Sequence, residues 1–192
     1  AAGVICILLA FVGKPLIKRH FKSSQANATP ATDGKLIVAL FGSIGLMVCY
    51  DMNGTLVWQK QIGALDSGWF LDPSYQWGHS SSPVIYKSSV IVQADQYKGS
   101  FIAAFDVASG KELWRKYLPK DLDAQVNPIG GGPKNLGWGF TWSPLVDGDK
   151  LICVPGGPQG TVAALDKKTG DVIWQSKDVI DQAAYTSPML AE

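Results

Sequence analysis

Few residues in this chain are equipped for covalent or acid–base chemistry. Its 192 residues include two histidines, His20 and His79, and three cysteines, Cys6, Cys49 and Cys153. The cysteines form neither a Cys-x-x-Cys motif nor an adjacent pair, so their spacing supports no disulfide framework and no zinc site. His20 lies in the basic stretch Lys14 to Lys22 and reads as a solvated residue. His79 sits just after Trp77-Gly78, where it could act as a base or ligand. One such histidine does not make a Ser/His/Asp or Cys/His triad. Gly130-Gly131-Gly132-Pro133 lacks the Gly-Lys-Ser/Thr of a phosphate loop. Asp147 and Asp149 could bind Ca²⁺ weakly, but around Gly148 a tight turn explains them better.

The other candidates are aromatic. Seven tryptophans are present, and four of them, Trp69, Trp77, Trp138 and Trp142, fall in two long connections, 61–79 and 117–141, or at their ends. Connections longer than about 12–15 residues are often functional. Trp77, His79, Trp138 and Trp142 are the expected ligand-binding residues, aromatic surfaces for a planar cofactor, a sugar or a partner side chain. The competing expectation is that they only pack these connections onto the scaffold.

Composition narrows the partners. The chain is 46% hydrophobic and 17% charged, which excludes disorder. A net charge of +1 gives no footprint for nucleic acid or anionic lipid. The apolar run 1–12 is too short to span a bilayer, which takes about 20 residues. It lacks the charged start and small-residue cleavage site of a signal peptide. It reads as a buried strand closed by Gly13-Lys14-Pro15.

The elements that must position the candidates come from internal repeats. Ala104-Phe105-Asp106 through Gly110 to Trp114 matches Ala164-Leu165-Asp166 through Gly170 to Trp174. Cys49-Tyr50-Asp51 through Gly54 to Trp58 matches both, with a turn one residue shorter. In all three, Trp follows Gly by four residues. Each reads as strand, Asp-Gly turn, strand. Glycine supplies a positive φ, the aspartate bonds the turn backbone, and the Trp lays its face on the next repeat with its N–H on a carbonyl. Asp106 and Asp166 are therefore turn formers and not a catalytic pair. Gly13 and Ile17 fit a degenerate copy with Leu9 at the Asp position.

A second repeat alternates with the first. It begins Thr29-Pro30, Ser82-Pro83, Ser143-Pro144 and Ser187-Pro188, with prolines 53, 61 and 44 residues apart. Each start leads into two short apolar strands. One unit is thus four strands, the signature of a β-propeller blade. The expected fold is all-β, a propeller arc of four-stranded antiparallel blades at 28–60, 81–116 and 142–176. Residues 3–19 would end one further blade and 186–192 begin another. Such an arc is expected to be a fragment that needs the rest of the ring for closure.

The motif Ala-x-Asp-x-x-Thr-Gly-x-x-x-Trp resembles the tryptophan-docking repeat of the PQQ-like, quinoprotein-type β-propeller family. The resemblance covers nearly the whole chain, with Asn53-Gly54, Ser109 and the first hairpin as departures. It implies that the long connections surround a central funnel. It also implies an exported, often periplasmic, location. Two functions are compatible with it. One is a non-catalytic scaffold that binds a protein, peptide or saccharide and holds no cofactor. The alternative is a segment of a quinoprotein dehydrogenase with PQQ and calcium. The resemblance gives such enzymes an adjacent Cys-Cys pair near the quinone, absent from this sequence, so the scaffold is the expected reading.

Overall fold

The computed structural model describes residues 18–19, 21, 27–65, 75–96, 99–126, 139–183 and 185–191. The strand expected in 1–12 lies outside them. Among the described residues, three four-stranded antiparallel sheets dominate, and helix is confined to two short pieces.

The first sheet joins β2 (Ala31–Thr32), β3 (Leu36–Phe41), β4 (Leu46–Asp51) and β5 (Leu56–Gln61) in chain order. The second joins β7 (Val84–Tyr86), β8 (Ser89–Ala94), β9 (Phe101–Asp106) and β10 (Glu112–Tyr117). The third joins β11 (Leu145–Asp147), β12 (Lys150–Cys153), β13 (Ala163–Asp166) and β14 (Val172–Gln175). These are the blades of a β-propeller. Their first strands are neighbours, since β7 touches both β2 and β11. One feature was not expected: β1 (Lys18–Arg19) pairs in parallel with β6 (Tyr75–Gln76), inside the first long connection. A short helix, α1 (Leu118–Asp121), opens the second connection.

The cores lie between the blades. Along β8, Val90, Val92 and Ala94 face blade 1, while Ile91 faces blade 3. Along β9, Phe101, Ala103 and Phe105 face blade 1, and Ile102 and Ala104 face blade 3. Both faces of a middle strand are buried, which is why these strands read as unbroken apolar runs rather than alternating ones.

The tryptophan dock takes the expected form. Trp58 Nε1 donates to the Val107 carbonyl at 2.9 Å, and Trp114 Nε1 donates to the Lys167 carbonyl at 3.0 Å. Each ring covers a turn glycine of the next blade, Gly110 and Gly170, at positive φ. Asp51, Asp106 and Asp166 accept backbone N–H bonds within their turns. The three outer hairpins also share a device that the pattern did not reveal. A register shift falls just before each Trp, leaving Val57, Leu113 and Ile173 as the extra residue. All three are about half exposed. The bulge turns one apolar residue out and aims the following Trp into the interblade face.

Candidate functional site

The segments 77–83 and 138–144 align residue for residue, as Trp-Gly-His-Ser-Ser-Ser-Pro and Trp-Gly-Phe-Thr-Trp-Ser-Pro. They end the two long connections and start the inner strands. Hydrogen bonds tie successive starts together. Thr29 N donates to Ser82 Oγ at 3.0 Å, Ser82 N to Ser143 Oγ at 3.0 Å, and Ser143 N to Ser187 Oγ at 2.8 Å. The inner strands are short and the following proline has no N–H, so no sheet partner serves these amides. The hydroxyl of the next blade serves instead. A parallel rung links Ser80 Oγ to the Thr141 carbonyl and Thr141 Oγ1 to the Tyr185 carbonyl. Each bond contributes about 0.5–1.5 kcal/mol net. Together they fix the roots of both connections on one face of the arc.

The sequence candidates occupy different depths of this face. Trp77 is half-buried, and its carbonyl accepts from Asn27 Nδ2 at 3.2 Å. His79 is buried against Gly42, so closely that a Cβ on Gly42 would come within 2.4 Å of its own. Neither imidazole nitrogen has a hydrogen-bond partner among the described residues. Burial pushes the His79 pKa down to about 4, against a weaker opposing pull from the Ser81 backbone. The ring is therefore neutral at pH 7 and enclosed.

Trp142 is wholly buried in the core between blades 2 and 3, rather than on an open wall. Its place one residue before the Ser-Pro step turns it back onto blade 2. His79 and Trp142 thus belong to different interblade layers and are not brought together. Trp138 lies outside the described residues.

Two polar residues missed in the sequence are buried nearby, Gln93 at the end of β8 and Asp95 just after it. Asp95 accepts from Ser100 Oγ at 2.8 Å and from Phe140 N at 3.0 Å. This carboxylate pins the end of the second connection to blade 2. By register, the equivalent positions hold Leu40 and Gly42 in blade 1, and Val154 and Gly156 in blade 3. The signal that could have found the pair was this departure from the repeat.

Among the described residues, the groups that could hold PQQ or calcium are engaged in the fold. Cys49 lies in the core between blades 1 and 2, and Cys153 in the core between blades 2 and 3. Burial pushes their thiols up to about 11 and about 12. The carboxylates of Asp51, Asp106 and Asp166 are engaged in turns. Among the described residues, no group of three or more His, Cys, Asp or Glu could hold a metal ion. No helix among them is long and apolar enough to cross a membrane.

A family model of PQQ-like repeats, described as outer membrane protein assembly factor BamB, matches residues 45–191. The chain belongs to the PQQ-like β-propeller repeat family. No curated protein matches it. Among solved structures, it is similar to a quinohemoprotein alcohol dehydrogenase from Comamonas testosteroni. That match has 22% identity and a TM-score of 0.55, and covers 82% of this chain and 21% of that one. It is also similar to the quinohemoprotein alcohol dehydrogenase ADHIIG from Pseudomonas putida HK5, at 16% identity and a TM-score of 0.52, covering 77% and 26%. A match to BamB from Moraxella catarrhalis has 19% identity and a TM-score of 0.48, covering 77% and 35%. This PQQ-like chain thus spans about a fifth to a third of these three structures. At these identities the likeness is one of fold.

Proposed function

We propose that this PQQ-like arc is a non-catalytic scaffold that binds a protein partner through the face carrying its two long connections. The observation that carries the reading is the hydrogen-bonded ladder from Thr29 to Ser187, with Asp95 on Phe140. It gives the two long connections fixed, adjacent roots, as a recognition surface built from loops requires. Trp77 is the candidate contact, while His79 and Trp142 are each buried in a different interblade layer. The family description favours a protein partner, a component of outer-membrane protein assembly, over a saccharide, and an exported, periplasmic location. The lack of an adjacent Cys-Cys pair in the sequence, with Cys49 and Cys153 in different cores, favours a scaffold without cofactor over a dehydrogenase segment.

A photo-crosslinking side chain at position 77 of the intact protein, expressed in its own cells, tests this. The expected result is a discrete protein adduct that is absent when the same probe replaces exposed Leu113 on the outer strand. No adduct from position 77, or equal adducts from both positions, would contradict the proposal.

A further inference from the structure

At the opposite end of the blades, a cleft of about 130 Å³ opens between blades 2 and 3. It is lined by Tyr86, Lys87 and Ser88 from the β7–β8 turn, and by Asp149, Lys167 and Lys168 from turns of blade 3. Three lysines face one aspartate. Lys167 is 6% exposed. Its ammonium pairs with Asp149 Oδ1 at 3.0 Å, donates to the Gly148 carbonyl and lies 3.9 Å from the centre of the Tyr86 ring. The Lys87 ammonium lies 5.3 Å from the centre of the same ring.

Two of these lysines are not what the fold asks for. The dock needs only a backbone carbonyl at position 167. At the other interface the equivalent residue is Val107, buried and apolar. Lys87 takes φ 53, a left-handed conformation unfavourable for a side chain, where the equivalent turn of blade 3 has Gly148 at φ 54. Two independent departures from the repeat therefore place positive charge in one cleft. The Tyr86 phenol responds to that charge. Lys167 foremost, opposed by desolvation and helped by Lys87, holds it below its usual pKa.

We propose that this cleft is a binding site for a single oxyanion group, phosphate or carboxylate. Lys87 and Lys168 supply the charge, Tyr86 and Ser88 the hydroxyl donors, and the Lys167–Asp149 pair the fixed wall. Phosphate and carboxylate share the chemistry of a compact anion that accepts several charge-assisted hydrogen bonds. The volume limits the ligand to one such group, since sites for drug-sized molecules run to about 300–1,000 Å³.

The test is calorimetric titration of the intact protein with inorganic phosphate, and separately with acetate, at low and constant ionic strength. Saturable phosphate binding is expected, with acetate competing if a carboxylate also serves. Lys87→Gly should weaken binding at least tenfold without lowering the melting temperature, because glycine suits the turn. Lys168→Gln should weaken it by a similar factor. No saturable binding of either anion, or binding unchanged in Lys87→Gly, would overturn the proposal.

Discussion

The dock between blades 2 and 3 can be tested by comparing two glycines. Gly34 and Gly170 both have positive φ, +85° and +76°, so alanine is strained at each. Around a Cβ at Gly34 nothing lies within 4 Å. A Cβ at Gly170 would meet Trp114 Cε3 at 2.6 Å and Cδ2 at 2.8 Å. Gly34→Ala should therefore cost only the conformational strain, about 1–2 kcal/mol. Gly170→Ala should cost that amount plus overpacking of the indole, about 1–3 kcal/mol more. Displacing the ring also threatens its bond to the Lys167 carbonyl, adding about 1 kcal/mol. The assay is urea unfolding of the intact protein followed by circular dichroism. The excess for Gly170→Ala should shrink in a Trp114→Leu background, with a coupling of about 0.5–3 kcal/mol. Equal costs for the two alanines, or an excess independent of Trp114, would refute the dock as drawn.

Three further outcomes are expected. His79 has its pKa lowered to about 4 by burial, so the unfolded chain binds the proton first. Its contribution to stability is complete above about pH 6.5 and is lost as pH falls toward 4, a change of about 3 kcal/mol. His79→Phe, the residue blade 3 carries as Phe140, should remove that slope when melting is followed across this range. Acrylamide should quench the half-buried Trp77 more than the wholly buried Trp142. Fluorescence of single-tryptophan variants reads this, and equal quenching would contradict it. Ser82→Ala should remove the acceptor for Thr29 N and cost about 1 kcal/mol in urea unfolding, with little change in the spectrum.

The parts of the fold that repeat were legible. Asp51, Gly54 and Trp58 recur as Asp106, Gly110, Trp114 and Asp166, Gly170, Trp174, and each position has a separate chemical duty in the dock. The bulges at Val57, Leu113 and Ile173 were not legible, because an extra residue in a half-exposed apolar strand leaves the composition unchanged. The Ser-Pro starts were recognised as strand boundaries, but the hydroxyl ladder depends on where the next blade lies. The site was less legible than the fold. Trp142 and His79 were noticed for their residue types, and their burial was not legible from those types. Gln93, Asp95, Lys87 and Lys167 look ordinary in isolation and become informative only when superposed on the repeat.

As proposed above, this arc binds rather than catalyses. The most direct measurement is reconstitution of the intact protein with PQQ and Ca²⁺, followed by gel filtration and a dye-linked alcohol oxidation assay. No quinone absorbance should co-elute with the protein, and the dye should not be reduced above the protein-free rate. Quinone co-eluting in a fixed ratio, together with alcohol-dependent dye reduction, would contradict it.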